Sequence, residues 1–539
     1  MAQISGYSKK KRSTQSIFLL LIILTLSTFI HIWNPVGFPA FHVDEGHYMR
    51  RAMQVLQNLG PQESRITYDY LYDHPYFGQL FLAAALSLIN YPDSLNPSSN
   101  IHSIEMLYLV PRVLMGILAV FDTFLVYKIA DTRYNRKVGF ISATLFAVMP
   151  LGWMLRGIFL DSILLPFLLL SILFAVYYVK RSGSDYGHNN GINKNNILII
   201  LSGIFLGLAI FTKVPVFTMI PLIVFIIIKK DNGSTKNRLR RLGIWLIPVI
   251  LIPMIWPAYA ISAGQFNEWI DGVMHQAVRE SIRNLRTSML LIFEFDPIIL
   301  LLGGAGVIYS VVKKDYFILL WVLPYLVFLY GIGWVTHFHW IILFPALCIV
   351  SGLLIDNLIK TIKFQKIKHL VEYGIVLTVV ISGIVSTTAL ITSNLNASYI
   401  DLYSHIVKEL EFHNKKTDNQ DNNDGITLIG SHRTRALVWI PKYVFNNDFV
   451  FRDTDIPNDN FTKPLQTNKF ILVADQNLFT RLTDRDYVQK YERERTIASL
   501  YYNSSGTIAT FIDRESERYN FMNMGENYGF GRFIEVRAN

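Results

Sequence analysis

Long runs of apolar residues, separated by short polar segments, dominate roughly the first 395 positions of the chain. The first run extends from about Ile17 to Ile32, and ten later blocks have the length or the apolar content of membrane spans. These blocks are 105–130, 138–155, 162–179, 196–212, 215–228, 242–262, 297–312, 316–335, 340–359 and 369–393. The pattern predicts a polytopic α-helical membrane protein with about eleven transmembrane helices.

Lysine and arginine residues cluster in alternate segments between these blocks, and such clusters mark the cytoplasmic side of a membrane protein. The basic segments contain Lys9–Arg12, Arg133–Lys137, Lys180 with Arg181, Lys229–Arg241, Lys313 with Lys314, and Lys360–Lys368. The alternate segments 34–104, 156–161 and 263–296 mix acids and bases. We therefore expect a multi-pass protein of the plasma membrane, with its N-terminus in the cytoplasm and everything after Ser393 outside. The first run, which no small-x-small cleavage site follows, is predicted to be a retained signal-anchor.

The character of the sequence changes after the last apolar block. A polar segment, HNKKTDNQDNND, precedes the strand-like runs ITLIG, YVFNNDFVF, KFILVAD and GTIATFI. We predict a small extracytoplasmic α/β domain over 396–539, attached to a transmembrane domain over 1–395. Glycosylation sequons at Asn396, Asn460 and Asn503 are in keeping with an outside location. The acidic triplet Asp453–Asp455 has the form of a nucleotide-sugar metal motif, but an ordinary acidic loop is its commoner explanation.

The composition supports the membrane assignment, since 51% of the residues are apolar and only 17% are charged. The formal net charge of +10 arises from the short clusters between apolar blocks, which indicates topology and excludes a nucleic-acid footprint. The single cysteine, Cys348, lies in an apolar run, so the chain has neither an intramolecular disulfide nor a cysteine metal cluster.

Two adjacent carboxylates flanked by histidines open the first segment predicted outside, in the stretch FHVDEGHY (41–48). From Tyr48 to Leu59 the apolar residues recur at helical spacing, which predicts an amphipathic helix along the outer membrane surface. Asp44 and Glu45 precede it, where an aspartate also serves as a helix cap. A cap, a metal site and an acid/base centre are all open interpretations of this stretch.

Further ionisable residues stand at the predicted outer boundaries of the spans. Such residues usually face a polar cavity, although snorkelling and structural ion pairs are common alternatives. They are Arg112, Arg156, Asp161, Lys213, His337 and His339, and His74 follows Asp69 and Asp73 in the first outer loop. An acid pair with several cations suits a reaction in which cations bind a phosphate leaving group and a carboxylate takes a proton from a hydroxyl.

At these residues the chain resembles the protein O-mannosyltransferase family and its prokaryotic relatives, the aminoarabinose transferases of lipid A. The Asp44–Glu45 pair before a surface helix is similar to that family's first outer loop, and HPYFGQ (74–79) is similar to its HPPLGK motif. RGIFLD (156–161), GLAIFTK (207–213) and HFHWIILFP (337–345) resemble its later motifs. The resemblance covers roughly residues 15–395 and is specific as an ordered set. The second proline of HPPLGK is replaced by Tyr76 and its lysine by Gln79, and the family's sugar-binding trefoil repeats are absent.

The resemblance implies a GT-C fold and an inverting glycosyltransferase that takes its sugar from a polyprenyl- or dolichyl-phosphate donor. The acceptor would be an extracytoplasmic hydroxyl of a protein, glycan or lipid, and Asp44 would be the general base. The candidate catalytic residues are Asp44, Glu45 and Asp161, and the candidate substrate- or phosphate-binding residues are His74, Arg112, Arg156, Lys213, His337 and His339. No metal ligand is assigned, although Glu45, His42 or His74 has the chemistry to hold a divalent ion.

Two other functions are compatible with a polytopic chain of this kind. A lipid-linked substrate transporter or flippase would place its charges at mid-bilayer on broken helices, often in repeated halves. A membrane-anchored binding protein would perform its function in the outer domain, with the spans serving only as an anchor. Charges at one predicted face and the single copy of VDEGHY favour the transferase over both.

Overall fold

The computed structural model describes residues 2–61, 72–181, 194–229, 235–278, 284–363, 365–417, 426–454, 469–475, 478, 481–482, 484–502 and 531–537. Helices predominate in this part of the chain. They are α1 (Ala2–Ile32), α2 (Val43–Leu56), α3 (Phe77–Ser87), α4 (Ile101–Arg133), α5 (Arg136–Val148), α6 (Leu160–Arg181), α7 (Lys194–Thr212), α8 (Ile220–Lys229), α9 (Thr235–Leu251), α10 (Ile255–Ser262), α11 (Phe266–Ala277), α12 (Leu285–Phe295), α13 (Pro297–Lys313), α14 (Tyr316–Gly331), α15 (Phe344–Thr361), α16 (Gln365–Ile391), α17 (Ala397–Thr417), α18 (His432–Arg435), α19 (Arg485–Lys490) and α20 (Glu492–Tyr502).

Short 3₁₀ and π segments and four strands complete the secondary structure. The 3₁₀ segments are Asp93–Leu95, Pro150–Arg156, Val214–Met219 and His337–Leu343, and Ile440–Val444 is π-helical. The strands are β1 (Ile426–Gly430), β2 (Val450–Asp453), β3 (Lys469–Asp475) and β4 (Gly531–Arg537).

The chain packs as two units, each built from several stretches of sequence. The first unit contains Met1–Trp33, Gln62–Gly78 and Val113–Leu390, and the second contains Asn34–Pro61, Gln79–Arg112 and Ile391–Asn539. The predicted domain boundary near 395 follows the last apolar helix and stays a prediction. In addition to the C-terminal residues, the second unit includes α2 and the first turns of α4.

Several helices have the length and apolar content of membrane spans, as the alternation of apolar and polar segments predicts. Within the described residues six helices meet this condition, or up to eight if each of two bent pairs forms one span. One bent pair is α5 with Pro150–Arg156, at 70°, so the predicted span 138–155 is not one straight helix. Four shorter apolar helices accompany them, and the predicted number of about eleven spans therefore stays a prediction.

Small residues bring the helices of the first unit into close contact, as is usual where lipid removes the hydrophobic difference between core and surroundings. Gly203 of α7 faces the carbonyl of Trp245 on α9, and a Cβ there would stand 2.5 Å from that oxygen. Gly352 of α15 faces Ser142 of α5 in the same way. The hydroxyl of Ser171 on α6 also donates to the carbonyl of Ser202 on α7, at 2.7 Å.

Two carboxylates anchor the turn between α4 and α5. Asp315 accepts from Arg133 at 3.2 Å and from the hydroxyl of Tyr134 at 2.6 Å. Asp356 lies 3.4 Å from Lys137 and 2.7 Å from Lys360. The basic residues that mark the predicted cytoplasmic side are thus partly neutralised by acids on other helices of the first unit.

The second unit contains a four-stranded sheet with the order β2-β1-β3-β4. Strand β1 is parallel to β2 and β3, and β4 is antiparallel to β3. The runs ITLIG and KFILVAD form the predicted strands, whereas only the end of YVFNNDFVF is extended. The run GTIATFI lies outside the described residues, and β4 is a strand that the sequence analysis did not predict. The predicted C-terminal α/β fold is therefore present.

Helix α2 is buried on both faces, whereas an amphipathic surface helix would leave its polar face exposed; its location along the outer membrane surface stays a prediction. Arg50 and Arg51 are 2% and 1% exposed, and the amide of Gln54 donates to the hydroxyl of Tyr443 at 3.0 Å. The helix also begins at Val43, earlier than expected, so Asp44 and Glu45 lie in its first turn. Tyr443, a C-terminal residue, contacts both Gln54 and Gln57 on the polar side of the helix, and local periodicity cannot reveal such a contact.

Asn396 connects the start of α17 to the residues that precede α2. Its amide donates to the carbonyls of Val36, at 2.6 Å, and Pro39, at 2.7 Å, and its oxygen accepts from the backbone of Phe41. The side chain is buried, and both its nitrogen and its oxygen are engaged in hydrogen bonds, so this sequon gives no support for an outside location. The sequons at Asn460 and Asn503 lie outside the described residues.

Gly46 should be intolerant of any side chain, because a Cβ there would overlap the carbonyl group of Ala436. We expect Gly46→Ala to lower the free energy of unfolding by about 1–3 kcal/mol, although alanine favours helices. Thermal unfolding of the full chain in detergent measures the change. The control is Gly243→Ala in α9, where no atom lies within 4 Å of the added methyl group. Equal melting temperatures for Gly46→Ala and the wild type would contradict the packing described.

Candidate functional site

Most of the predicted site residues fall into two clusters, one in each unit, and the first surrounds the start of α2. His42 is the N-cap of this helix: its Nδ1 accepts from the backbone of Asp44 at 3.2 Å. The carboxylate of Glu45 reaches back to the backbone N–H of His42 at 3.0 Å. Together they form a capping box, which satisfies two N–H groups at the start of α2.

Glu45 and Arg112 form a fully buried ion pair. The Arg112 guanidinium donates to Oε1 at 3.0 Å and to Oε2 at 2.7 Å. Its remaining nitrogen donates to the carbonyls of Pro35 and Pro39, both at 2.8 Å. This geometry orients the start of α2 and favours a positioning role for both residues over direct contact with substrate.

Tyr108 belongs to the same cluster, although the sequence analysis did not select it. Its hydroxyl donates to Oε2 of Glu45 at 3.2 Å, and the Arg112 guanidinium lies 5.0 Å from the centre of its ring. The ring of Phe41 is tilted by 53° against that of Tyr108, with 4.2 Å between their centres, and also lies 5.0 Å from the guanidinium of Arg112. Tyr108 could have been identified from its spacing, because residues four apart on one helix, such as Tyr108 and Arg112, lie on the same face.

Asp44 differs from Glu45 in the exposure of its side chain, which also takes no part in the helix cap. Its side chain is about 31% exposed, and Oδ2 lies 3.7 Å from Nδ1 of His42. That nitrogen also accepts a hydrogen bond from the backbone N–H of Asp44. The cap interpretation of Asp44 is therefore wrong in this structure, because His42 and Glu45 perform the capping.

The second cluster lies in the first unit and is centred on Lys213. The ammonium of Lys213 donates to Oδ2 of Asp161 at 2.6 Å and lies 5.0 Å from the centre of the Phe338 ring. Lys213 follows the end of α7, and Asp161 is in the first turn of α6. Both side chains are buried, at 6% and 2% exposure, so this pair, like that of Glu45, is held away from water.

The predicted histidines lie near His339, which is itself close to Lys213. The charges of Lys213, His74 and His337 all act on His339, which places the four residues in one neighbourhood. The ring of His339 is fixed by the backbone N–H of Thr336, which donates to Nδ1 at 3.0 Å. His337 packs on the indole of Trp153, 5.4 Å between ring centres. The first unit thus brings together residues from α6, α7, the HPYFGQ stretch and the segment before α15.

Arg156 is buried at the end of the 3₁₀ segment Pro150–Arg156 and donates to the carbonyl of Trp33. Its charge also acts on His31, whose Nδ1 hydrogen-bonds with Ser27. These contacts fix the guanidinium beside the last turn of α1. The structure thus gives Arg156 a well-defined position in the first unit, whereas its contact with a phosphate stays a prediction.

Tyr76, which replaces the second proline of the HPPLGK motif, is part of an aromatic group. Its ring lies 4.9 Å from that of Phe211 and 5.4 Å from that of Tyr259. The pKa of Tyr76 is raised to about 12, mainly because the side chain is buried and to a smaller extent because Tyr259 is close to it. The phenol is therefore uncharged near neutral pH, and its hydroxyl donates to the carbonyl of Ile255 at 3.4 Å.

The acidic residues with the chemistry of metal ligands form no metal site in the described residues. Within the described ranges no group of three His, Cys, Asp or Glu side chains is placed to hold an ion. Both Glu45 oxygens face Arg112, and Asp453 of the acidic triplet lies 3.5 Å from Arg435. Asp455 and Asp69 lie outside the described residues.

A family model matches part of the chain. The model of dolichyl-phosphate-mannose-protein mannosyltransferases matches residues 62–264, less than half of the 539 residues. This match confirms the resemblance drawn from the motifs and the predicted enzyme class, a membrane glycosyltransferase. No curated protein sequence matches the chain at a significant level.

Solved structures of membrane glycosyltransferases share the fold. The Archaeoglobus fulgidus oligosaccharyltransferase, in the apo form, is 13% identical with a TM-score of 0.56, covering 85% of this chain and 69% of the other. ArnT from Cupriavidus metallidurans bound to undecaprenyl phosphate is 10% identical with a TM-score of 0.52, covering 97% of this chain and 98% of the other. The apo state of ArnT gives a TM-score of 0.51 at 10% identity, covering 98% of both chains. At these identities the similarity shows the fold alone, and the predicted GT-C fold is confirmed.

Breaking the Glu45–Arg112 pair should destabilise the protein strongly, because one buried charge would remain without its partner. We expect Glu45→Gln or Arg112→Gln alone to lower the free energy of unfolding by about 3–5 kcal/mol, and the double variant to cost less than the sum. Thermal unfolding in detergent measures this coupling. Asp401→Asn removes the half-exposed pair with His405 and should cost at most about 1 kcal/mol. Additive losses in the double variant would refute a coupled buried pair.

Proposed function

We propose that this protein transfers a sugar from a polyprenyl- or dolichyl-phosphate donor to an extracytoplasmic hydroxyl, with inversion and with Asp44 as the general base. The protein would lie in the plasma membrane, with its N-terminus in the cytoplasm and its C-terminal sheet outside. The family match supports the sugar transfer. The undecaprenyl phosphate in the ArnT structure supports a lipid-phosphate carrier.

The observation that carries the assignment of the base is the contrast between two adjacent acids. Glu45 is fully buried, and Arg112, Tyr108 and the backbone of His42 engage its oxygens. The side chain of Asp44 is partly exposed and is released from capping by its neighbours. A general base must reach the proton that it removes, and of the two acids only Asp44 has an exposed carboxylate.

The donor phosphate is assigned to the cluster around Lys213. An ammonium carries three donor hydrogens, of which one is directed at Asp161. Asp161 would hold Lys213 in position, while His74, His337 and His339 supply further nitrogen donors in the same neighbourhood. Fixed donors of this kind stabilise the charge that develops on a leaving phosphate without reorganising during the reaction.

The reaction balances without a further reactant. Asp44 takes the proton of the acceptor hydroxyl, and the acceptor oxygen forms a bond to the anomeric carbon of the sugar. The bond from that carbon to the phosphate oxygen breaks, and its electron pair leaves with the lipid phosphate. Attack opposite to the leaving group inverts the anomeric configuration. A phosphate needs charge stabilisation more than protonation, so one base with several cations suffices.

Replacing Asp44 by asparagine should abolish most of the transfer while the protein still inserts and folds. The amide cannot accept the proton, and loss of a general base lowers rates by about 10²–10⁴-fold. Transfer of radiolabelled sugar from the polyprenyl-phosphate donor into membrane acceptors measures the effect. Asp93→Asn, a change at an exposed acid of the same unit, is the control. Transfer at the wild-type rate by a folded Asp44→Asn protein would refute this assignment of the base.

Removing the charge of Lys213 should weaken donor binding. A charge-assisted hydrogen bond contributes about 1.5–3 kcal/mol, so Lys213→Gln should raise the KM for the lipid-phosphate donor at least tenfold. The double variant Lys213→Gln/Asp161→Asn should raise the KM for the lipid-phosphate donor equally, but it leaves no buried carboxylate without a partner. Lys313→Gln, at an exposed lysine, serves as the control. An unchanged donor KM in the double variant would exclude Lys213 from phosphate binding.

A further inference from the structure

Two broken helices of the first unit meet at one small cavity. The pair formed by α5 and Pro150–Arg156 bends by 70° across Met149, and the pair formed by α12 and α13 bends by 118° at Asp296. Met149 and Asp296 both line a cavity of about 20 Å³, which is room for a single particle of the size of a water molecule. Irregular backbone at the depth of a membrane is tolerated where it is buried in protein or lines a polar cavity. The two breaks therefore make this cavity a candidate ligand site.

Asp296 brings a carboxylate to the cavity, and one of its two oxygens is engaged. Oδ1 accepts from the backbone N–H of Ile299 at 2.9 Å and caps the start of α13. The residue is 4% exposed, and among the described residues Oδ2 has neither a hydrogen-bond donor nor a basic side chain within ion-pair distance. An ionised carboxylate held away from water needs a positive partner, because the loss of its hydration is otherwise not offset.

The other groups that line the cavity also favour a cation. Leu145 and Val148 belong to the last turn of α5, and the carbonyl end of a helix carries partial negative charge. Ser382 of α16 adds a hydroxyl, whose oxygen has lone pairs for a cation. The opposite dipole, at the start of α13, is met by Oδ1 of Asp296. Carboxylate, carbonyl and hydroxyl oxygens together suit a hard cation and not a transition metal.

Close packing holds Ser382 beside the end of α5. The next residue, Gly383, approaches the carbonyl of Val148 so closely that a Cβ there would stand 2.7 Å from its oxygen. The hydroxyl of Thr387 donates to the same carbonyl at 2.9 Å. Helix α16 is therefore fixed against the break of α5, and its serine is kept at the cavity.

The charge and the size of the cavity select a monovalent ion. Among the described residues that line it only Asp296 is charged, so one monovalent cation makes the site neutral. A divalent ion would leave a net positive charge among apolar helices, which is costly. A sodium ion without its hydration water is smaller than a water molecule and fits the volume. Broken helices whose carbonyl ends line a cavity are also the usual places for sodium in membrane proteins.

We propose that Asp296, Ser382 and the carbonyl end of α5 form a sodium site that joins the two broken helices. The site goes beyond the proposed function, because ion binding needs neither a sugar donor nor an acceptor. Phe295, which precedes Asp296, lies 5.7 Å from Trp153, and Trp153 packs on His337 at 5.4 Å between ring centres. A cation bound between the breaks should therefore also stabilise the segment that carries His337.

The first test measures the binding of radioactive sodium to the full-length protein in detergent, with choline chloride keeping the ionic strength constant. The wild type should bind one ion per chain. Asp296→Asn should weaken the binding at least about tenfold, because asparagine still caps a helix but carries no charge. Ser382→Ala should weaken it by about three- to tenfold, the worth of one neutral hydrogen bond.

Thermal unfolding gives a second measurement on the same proteins. The melting temperature of the wild type should rise with the sodium concentration, because a ligand that binds only the folded state stabilises it. The melting temperature of Asp296→Asn should not respond to sodium. Asp484→Asn is the matched control, since it makes the same change at the exposed N-cap of α19. This control should respond to sodium as the wild type does.

Absence of sodium binding to the wild type, or equal affinities in the wild type and Asp296→Asn, would overturn the inference. A melting temperature that shifts with pH in the wild type but not in Asp296→Asn, with no effect of sodium, would indicate a protonated carboxyl and would also overturn it. The proposed function fails separately, if the wild type transfers no sugar from the lipid donor, because none of these measurements uses a donor.

Discussion

The buried ion pair between Glu45 and Arg112 is the constraint on which the second unit depends. Each ion loses several kcal/mol of hydration on burial, and only the two-point contact with its partner and the carbonyls of Pro35 and Pro39 offsets that loss. The pair therefore fixes the chain before α2, the cap at His42 and the first turns of α4 in one arrangement. The position of Asp44 depends on this arrangement, because Asp44 directly precedes Glu45 in the first turn of α2.

A second buried pair, Lys213 with Asp161, has the same role in the first unit. It joins the end of α7 to the start of α6, and the histidines at 74, 337 and 339 lie in its neighbourhood. A lysine that already has a carboxylate partner is held in place before any anion arrives, which lowers the entropy cost of binding. The two pairs thus differ: Arg112 uses four of its five donor hydrogens on Glu45, Pro35 and Pro39, whereas Lys213 directs one of three at Asp161.

The C-terminal residues form part of the second unit together with α2. Tyr443 binds Gln54, Ala436 packs on Gly46, and Trp439 lies 6.2 Å from Tyr108. Changes in this segment should therefore alter the geometry around Asp44 even when they lie far away in sequence.

The sequence by itself determined the membrane class, the positions of most apolar helices, two of the C-terminal strands and the motifs that the family model confirms. These features depend on local composition and period, which a single sequence displays directly. Only the tertiary structure decided that α2 is buried, that His42 and not Asp44 caps it, and that Asp161 pairs with Lys213. Such outcomes depend on which residues far apart in the chain meet: the partners of Glu45, Gln54 and Asp161 stand 67, 389 and 52 positions away. No local pattern encodes a pairing over such distances, because it is selected by the balance of burial and charge in the folded chain.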